Sequence, residues 1–459
     1  MGKHIAEGKA FPLFFYGQNY MGTIEQFTLG TFFKLFGFHP IGLRLVPLFY
    51  FILCVFIFYI LSKNHFYPKQ YLYPLIFLVF PTLYSIIWTL KARGGFIEIV
   101  LLCLSFLYLI LLYKKEGKNW QIYLSAFIAG FAIYTNTLCL PFLLIVSLIS
   151  YLSTNKVKTN AKTISISIFS FLLGISPIII ASINTSKNYG VSFGLNMNLS
   201  SKAHIIISEI IPLFLGITIP DEVQWSFSSI GKMVLSLLTL IAILITLYKY
   251  RTYIWGLIRL KKLDYPIPFY LIITLPIYFL VLLVSPYLQD VKGIRYLILG
   301  IFITPIFLTE LLLIFQHKPI IRNTLIAIIL FAGFLSAYEF LNTTQHKHSP
   351  SWEILIDHGN DTRTLVSFLD KHTLQYGYAD YWVQGNINYL SAEKLTYAAF
   401  DRNRYLPYKE TVDKFDFPTY IYLEKKLQDV KKELNQIQQK HHKTYQLKSI
   451  GDYIILYPI

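Results

Sequence analysis

Two short basic segments carry the residues best suited to chemistry in this chain of 459 residues. The first is Lys91-Ala-Arg-Gly-Gly95, and the second is Lys292-Gly-Ile-Arg-Tyr296. A guanidinium group binds phosphate oxygens through two parallel hydrogen bonds, and glycines after an arginine let a bulky headgroup approach the backbone. We therefore predict that Lys91, Arg93, Lys292 and Arg295 bind a phosphate. The alternative is that the arginines reach out to lipid phosphates in general.

Acidic residues are sparse before residue 345, and most of them fall near the ends of apolar segments on the same predicted face as these cations. Ionisable groups next to hydrocarbon are costly unless they are paired or wetted, so a one-sided set of acids suggests a site. In the alternative interpretation, some of these acids cap helices or pair with neighbouring basic residues. The set is Glu7, Glu25, Glu98, Glu209, Asp221, Glu222, Asp290 and Glu339.

Composition identifies the chain as polytopic and membrane-embedded, because 54% of its residues are hydrophobic, 14% are charged and the mean hydropathy is +0.49. Windows of about 20 apolar residues, the length that crosses a bilayer as a helix, predict eight spans. The stretch 121–152 predicts two short helices that meet at Thr135-Asn136-Thr137, which gives ten crossings. Residues 203–219 predict a re-entrant or interfacial piece. The eight spans are 41–62, 71–90, 95–113, 161–183, 229–250, 268–286, 294–315 and 320–341.

The net charge of +16 is a matter of topology and does not indicate nucleic acid. Residues 345–459 are nearly neutral, and lysine and arginine concentrate in alternate loops of the membrane portion. Cytoplasmic loops of membrane proteins are rich in these residues, which predicts that the C-terminal domain lies outside. The basic loops are 63–70, 114–120, 153–163, 249–266 and 316–323.

The predicted organisation has three parts. Residues 1–40 form an extracytoplasmic loop, 41–344 form the transmembrane domain with an outer loop at 184–228, and 345–459 form a small soluble α/β domain. Short β-type runs in the last part support its α/β class, and they are 395–400, 419–423 and 453–457.

Metal and disulfide chemistry have no support in the pattern. The histidines show no ligand spacing, so no metal site is predicted. Cys54, Cys103 and Cys139 all fall in apolar segments, where we expect small core residues. No cofactor is required, and a divalent cation that assists phosphate binding is left open.

These motifs together resemble glycosyltransferases of the GT-C fold, similar to protein O-mannosyltransferases and bacterial lipid A aminoarabinose transferases. The resemblance covers nearly the whole chain, and each motif is weak alone. Its carriers are Glu7-Gly-Lys-Ala-Phe-Pro, Tyr16-Gly-Gln-Asn-Tyr-Met-Gly-Thr-Ile-Glu25, Leu35-Phe-Gly-Phe-His-Pro, Leu43-Arg-Leu45, Lys91-Ala-Arg-Gly-Gly95, Arg295-Tyr-Leu297 and Tyr378-Ala-Asp-Tyr-Trp382.

The resemblance implies transfer of a sugar from a polyprenyl phosphate, with inversion, to a glycan, lipid or protein acceptor on the outer face of the inner (plasma) membrane. The cations then hold the donor phosphate, and a carboxylate deprotonates the acceptor. In such enzymes a helix and an acid directly after it precede the first loop, so the expected base would come before Met1. Glu25 is the candidate base within this chain.

Further residues are expected to line the cavity or bind the acceptor. Aromatics stack on sugar rings, although Tyr381 and Trp382 are alternatively core residues of a small domain. Two other functions stay open: a non-enzymatic glycolipid transporter and a catalytically inactive partner of another transferase. The expected cavity or acceptor residues are Tyr16, Gln18, Tyr20, Asp221, Glu222, Tyr296, Asp380, Tyr381 and Trp382.

Overall fold

The computed structural model divides the chain into two units. A helical unit comprises Met1–Phe15, Asn19–Gly37 and Ile41–Lys347, and a second unit comprises Tyr16–Gln18, Phe38–Pro40 and His348–Ile459. The structure describes residues 1–79, 89–90, 92–154, 160–185, 198–215, 227–286, 288–289, 291–343, 359–423 and 427–459.

Long apolar helices dominate the helical unit. A helix satisfies its backbone hydrogen bonds internally, as hydrocarbon requires, and runs of Leu, Ile and Phe make its surface apolar. The helices are α1 (Gly2–Ala6), α2 (Ile24–Phe36), α3 (Gly42–Leu61), α4 (Tyr73–Ile76), α5 (Ile97–Glu116), α6 (Asn119–Thr135), α7 (Leu140–Leu152), α8 (Ala161–Thr185), α9 (Leu199–Ile205), α10 (Ile211–Leu215), α11 (Phe227–Lys249), α12 (Arg251–Ile258), α13 (Phe269–Ile272), α14 (Thr274–Val284), α15 (Gly300–Ile314) and α16 (Pro319–Thr343).

Several of these helices are able to cross a membrane by length and composition. Among the described residues, Gly42–Phe66, Ile97–Glu116 and Ala161–Ile183 meet both requirements, and α11 with α12 adds a fourth span if the pair, bent by 61°, counts as one. Four shorter apolar helices accompany them. The chain is a polytopic α-helical membrane protein with a small C-terminal α/β domain.

The predicted break within 121–152 is confirmed. Helix α6 ends at Thr135, a single 3-10 turn spans Thr137–Cys139, and α7 follows. The side chain of Asn136 accepts a hydrogen bond from the N–H of Leu138 at 3.0 Å, which caps the turn.

Other predicted spans are interrupted where the chain departs from α-helical geometry. The span 294–315 becomes helical only at Gly300, because Val291–Leu297 forms a 3-10 turn, and 268–286 is divided between α13 and α14. In the predicted re-entrant or interfacial piece 203–219, a π-helical turn, Ile206–Ile210, joins α9 to α10, and residues 216–219 lie outside the described part. Residues 80–88 of the span 71–90 lie outside the described part.

Residues 1–40 are not an irregular loop. They contain α1, a two-stranded hairpin of β1 (Phe14–Phe15) and β2 (Gln18–Gly22), and α2. The Tyr134 hydroxyl of α6 donates to the carbonyl of Leu13 at 2.6 Å and anchors the start of the hairpin. Their extracytoplasmic location stays a prediction.

A buried acid joins three parts of the helical unit. Glu310 of α15 is 2% exposed, and its Oε1 accepts from the hydroxyls of Tyr67 at 2.7 Å and Tyr250 at 3.1 Å. Its Oε2 pairs with Lys249, the last residue of α11. The cluster therefore sits at the bend between α11 and α12, where its contacts satisfy a charge that would otherwise be costly to bury.

The second unit is a five-stranded sheet with helices on both faces. The strand order is β4-β3-β5-β7-β6, with β3 parallel to β4 and β5, and β7 antiparallel to β5 and β6. The strands are β3 (Tyr376–Ala379), β4 (Thr396–Ala399), β5 (Thr419–Leu423), β6 (Tyr445–Ile450) and β7 (Tyr453–Pro458), and the helices are α17 (Gly359–Lys371), α18 (Tyr381–Leu390), α19 (Leu406–Val412) and α20 (Leu427–His441).

Alternation along the strands builds a core on each face of this sheet. On one face Ile421 and Ile455 pack with Leu365 of α17 and Ile387 of α18. On the other face, the alternate residues of β5 and β7, whose side chains point the opposite way, pack with α20. The second core consists of Tyr420, Tyr422, Val430, Ile437, Tyr445, Ile454 and Leu456.

Three of the five strands of this sheet correspond to predicted β-type runs. The sequence missed β3, where Gly377 lies so close to the Thr419 carbonyl that a Cβ would collide with it. It also missed β6, an edge strand with mostly exposed side chains after Tyr445.

Candidate functional site

A glycine turn before α5 is the framework of the site in the helical unit. Gly94 and Gly95 have φ of +69° and +68°, a left-handed backbone that favours glycine. A Cβ on Gly94 would collide with the ring of Phe15, and one on Gly95 would press on the carbonyl of Thr135. The turn thus packs tightly against the hairpin and the end of α6, and it fixes the position of Arg93.

Glu25 holds this turn from the first turn of α2. Its carboxylate is 2% exposed and accepts from the backbone N–H of Gly94 and, at 3.2 Å, from the amide of Gln26. The backbone N–H of Arg93 also lies toward it. Burial, and next the charge of Glu98, raise the pKa of Glu25 well above its ordinary value of 4.5.

Glu98 is a second buried carboxylate nearby, in the first turn of α5. It is 2% exposed. The N–H groups of Gly95, Phe96 and Glu98 itself lie close to its oxygens, but among the described residues neither oxygen has a partner with the geometry of a hydrogen bond. Two buried carboxylates, close enough for their charges to interact, are therefore enclosed behind the turn that carries Arg93.

The fold brings Arg93 and Arg295 together, although they are far apart in sequence. Burial, and then the nearby charge of Arg295, lower the pKa of Arg93 to about 10. Arg295 lies in the 3-10 turn Val291–Leu297, where one terminal nitrogen donates to the hydroxyl of Tyr296 at 3.0 Å. Its Nε is buried and has no hydrogen-bond partner among the described residues.

Two positively charged groups in proximity, one with an unsatisfied buried donor, are suited to bind an anion. Leaving a buried N–H without a partner costs about 1–3 kcal/mol, and a phosphate oxygen would remove that cost. The predicted partner Lys91 lies outside the described residues, as does the side chain of Lys292. Arg93, Arg295 and Tyr296 are the predicted site residues that the structure describes together.

Other predicted site residues occur elsewhere. Tyr20 is 42% exposed on β2. Tyr16 and Gln18 group with the second unit, where the ring of Tyr16 stacks on that of Tyr405 at 4.7 Å. Asp221 and Glu222 lie outside the described residues.

The predicted acceptor residues of the second unit take three different environments. Asp380 follows β3, and its Oδ2 accepts from the N–H of Leu423 at 2.7 Å. Tyr381 lies under the guanidinium of Arg404, 5.0 Å from its ring centre. The alternative that Trp382 is a core residue is wrong, because the side chain is 66% exposed at the start of α18.

Glu98 was counted among the outer-face acids, but the sequence did not connect it with Glu25. Glu310 was missed altogether. An acid inside an apolar span was the available signal for Glu310, whereas only the tertiary structure reveals that Glu25 and Glu98 are neighbours.

Comparison with known proteins finds solved structures with a similar fold. No protein-family model matches the chain, and no curated protein sequence matches it. The crystal structure of ArnT from Cupriavidus metallidurans bound to undecaprenyl phosphate is similar over 100% of this chain and 92% of ArnT, with a TM-score of 0.59 and 8% sequence identity. The apo state of the same ArnT gives a TM-score of 0.47 at 9% identity over 100% and 91% of the two chains. The first comparison confirms the resemblance to the GT-C fold, and at this identity it extends to the fold alone.

Proposed function

We propose that this protein is a glycosyltransferase of the inner (plasma) membrane. It takes a sugar from a polyprenyl-phosphate donor on the outer face and passes it, with inversion, to a glycan, lipid or protein acceptor of the cell envelope. The observation that carries the proposal is the proximity of Arg93 to Arg295, whose buried Nε has no hydrogen-bond partner in the described part of the chain.

The two arginines favour a phosphate over a neutral ligand. With a pKa of about 10, Arg93 is protonated at neutral pH, so the site holds two positive charges whose mutual repulsion a bound anion would reduce. The Nε of Arg295 would donate its free hydrogen to a phosphate oxygen, as guanidinium groups do in bidentate contacts. ArnT, which shares the fold, was crystallised with undecaprenyl phosphate, and this supports a polyprenyl phosphate as the lipid.

The transfer itself exchanges one C–O bond for another. The acceptor hydroxyl oxygen bonds to the anomeric carbon from the face opposite the phosphate, and the bond from that carbon to the phosphate oxygen breaks. Its electron pair leaves with the polyprenyl phosphate, whose growing charge the arginines stabilise. The hydroxyl proton passes to a carboxylate.

Glu25 has two candidate roles in this scheme. The sequence predicts that it accepts the proton, and a raised pKa makes a carboxylate a stronger base. Its hydrogen bonds to the glycine turn equally support a positioning role, in which it holds Arg93 in place.

Binding of the donor lipid is tested with undecaprenyl phosphate on the purified full-length protein. We expect this lipid to raise the thermal denaturation midpoint, because a ligand that binds only the folded state stabilises it. Undecaprenol, which lacks the phosphate, should do so much less. Arg295→Ala should abolish the difference between the two lipids, and Arg295→Lys, which keeps the charge but loses the planar fork, should retain part of it.

Arg259→Ala is the matched control, since Arg259 is exposed and predicted to lie on the cytoplasmic side. Equal stabilisation by both lipids, or an unchanged response in Arg295→Ala, would refute the phosphate site. Turnover separates a transferase from a transporter: only a transferase releases undecaprenyl phosphate from a lipid-linked sugar in the presence of acceptor.

A further inference from the structure

The second unit contains an open cleft at the carboxyl ends of its parallel strands. Its volume is about 680 Å³, within the range of small-ligand sites. Asp380 follows β3, Phe400 follows β4, and Leu423 ends β5, so three strand ends meet there. The wall opposite is one face of α20, with residues at helical spacing: Glu433, Gln436, Ile437 and Lys440.

The order of the strands places this cleft at a change of winding direction. The chain leaves β3 through α18 to reach β4 on one side, and it leaves β5 through α20 toward β6 and β7 on the other side. Adjacent parallel strands whose connections diverge leave a crevice at their carboxyl ends, and open α/β sheets bind ligands in that crevice. Asp380 connects the two strands at this crevice, because it follows β3 and its carboxylate accepts from the N–H of Leu423 at the end of β5.

Aromatic rings form a nearly parallel series beside this crevice. Phe400 stacks on Tyr422 with ring centres 5.1 Å apart and planes inclined by 12°, and Tyr378 lies 6.3 Å from Phe400 and 5.8 Å from Tyr420. Tyr420 and Tyr422 are buried, whereas Phe400 is 39% exposed. Phe400 therefore presents apolar ring surface to a ligand.

The polar groups of the cleft suit hydroxyls better than phosphates. The hydroxyl of Tyr422 donates to the carboxylate of Glu433, and Asp380 also lines the cleft. Among the described residues that line the cleft, two carboxylates against one cation, Lys440, disfavour an anion, whereas carboxylates and the amide of Gln436 can accept from or donate to sugar hydroxyls. A pyranose ring offers apolar C–H faces to an aromatic ring and hydroxyls at its edge, which matches this combination.

We propose that this cleft binds a neutral glycan, with Phe400 stacking on a sugar ring and Asp380, Glu433 and Gln436 bonding its hydroxyls. Glycan binding stands independently of the transferase activity. That the bound glycan is the acceptor rests on the proposed function.

Saturation-transfer NMR on the full-length protein tests the proposal with four trisaccharides: maltotriose, cellotriose, mannotriose and chitotriose. The protein is held in nanodiscs, because maltoside detergents would compete for the cleft. We expect at least one trisaccharide to bind, and Phe400→Ala and Glu433→Gln each to weaken it about tenfold, since a lost stacking or hydrogen-bonding contact is of that size.

Phe415→Ala is the matched control, because Phe415 is a 43% exposed aromatic of the second unit outside the cleft and its loss should leave binding unchanged. Thermal denaturation of each variant checks that the protein is folded. The proposal is overturned if none of the trisaccharides binds, or if both cleft variants bind as well as the unmodified protein. It is also overturned if UMP, an anionic nucleotide, displaces the sugar at equal concentration. Arg295→Ala should bind the trisaccharide normally, so failure of the phosphate site and failure of the cleft are separate outcomes.

Discussion

Glu25 and Glu98 concentrate negative charge in a place that water does not reach. Each carboxylate is 2% exposed. Burial and a neighbouring negative charge both favour the protonated form of a carboxyl group. Because burial and the charge of Glu98 both raise the pKa of Glu25, this pair has consequences for stability as well as for chemistry.

We expect Glu25→Gln to change how stability depends on pH. A carboxyl whose pKa is raised on folding gives its full contribution to stability below the unfolded value, near 4.5, and loses it as pH rises through the folded pKa. A glutamine carries no charge at any pH and can still accept from Gly94. Relative to the unmodified protein, the variant should therefore gain stability as the pH rises above 4.5, as measured by thermal denaturation over a series of pH values.

Glu7→Gln is the control for that measurement. The carboxylate of Glu7 pairs with Lys9 at 2.7 Å, and the hydrogen bond from Lys9 lowers its pKa. Exposed pairs contribute little, so this variant should not gain stability as pH rises. A Glu25→Gln variant that follows the unmodified protein at every pH would show that Glu25 is ionised without penalty.

Transfer activity distinguishes the two roles of Glu25 once a donor and acceptor are in hand. If it is the base, Glu25→Gln should lose nearly all turnover, and the turnover of the unmodified protein should rise with pH through the raised pKa. If it holds the turn, Glu25→Gln should keep substantial turnover, whereas Glu25→Ala, which removes the acceptor of the Gly94 N–H, should lose it.

The sequence predicted the cations of the site more readily than the acids. Arg93 and Arg295 stood out because they lie on the predicted outer face, where positive charge is unusual. The pairing of Glu25 with Glu98 depends on how the glycine turn before α5 lies against the start of α2, which no local pattern encodes. The exposure of Trp382 could not be predicted for a related reason, since aromatic residues occur both in cores and on binding surfaces.

At the scale of elements, α6 and α8 illustrate packing that depends on the absence of side chains. Gly130 of α6 faces the backbone of α8 at Phe171, and Gly174 of α8 faces the backbone of α6 at Phe127. Small residues let helix backbones approach closely in membranes, where van der Waals contact drives association. The pair therefore fixes the distance between the two helices.

We predict that Gly174→Leu destabilises the protein. Its side chain would collide with the carbonyl of Phe127 and force α6 and α8 apart, and overpacking of this kind costs about 1–3 kcal/mol. The thermal denaturation midpoint of the purified protein should fall by several degrees. Gly385→Ala is the control, because Gly385 is also helical but, among the described residues outside its own helical turn, no atom lies within 4 Å of the added Cβ. Similar midpoints for Gly174→Leu and Gly385→Ala would show that α6 and α8 are not held at this distance.

Apolar length in the sequence predicted α3, α5, α8 and α11 within a few residues. It failed where the chain leaves α-helical geometry inside an apolar run, as at Val291–Leu297, because hydropathy does not report backbone shape. The bend between α11 and α12 coincides with the contacts of Lys249 and Tyr250 to Glu310, which join residues distant in sequence. Tertiary contacts of this kind are invisible to a pattern that treats each segment alone.

For the whole molecule, the distribution of lysine and arginine predicts which parts face the cytoplasm, and the buried native cysteines make this testable. Cys54, Cys103 and Cys139 are each 0% exposed, so none should react with a membrane-impermeant maleimide in the folded protein. A single introduced cysteine then reports its own side of the membrane. Gln439 on α20 and Lys118 before α6 are exposed positions for such probes.

We expect Gln439→Cys to be labelled in intact spheroplasts and Lys118→Cys only after they are permeabilised. The reason is that the loop 114–120 belongs to the basic set, which translocates poorly, whereas 345–459 is nearly neutral. Labelling after denaturation shows that both cysteines are present and reactive. If Gln439→Cys needed permeabilisation and Lys118→Cys did not, the orientation would be inverted, and the phosphate site would have to draw its lipid from the cytoplasmic leaflet. If both were labelled alike in intact spheroplasts, an even number of crossings would separate the two positions. The predicted spans give an odd number there, so they would need revision between residues 118 and 439.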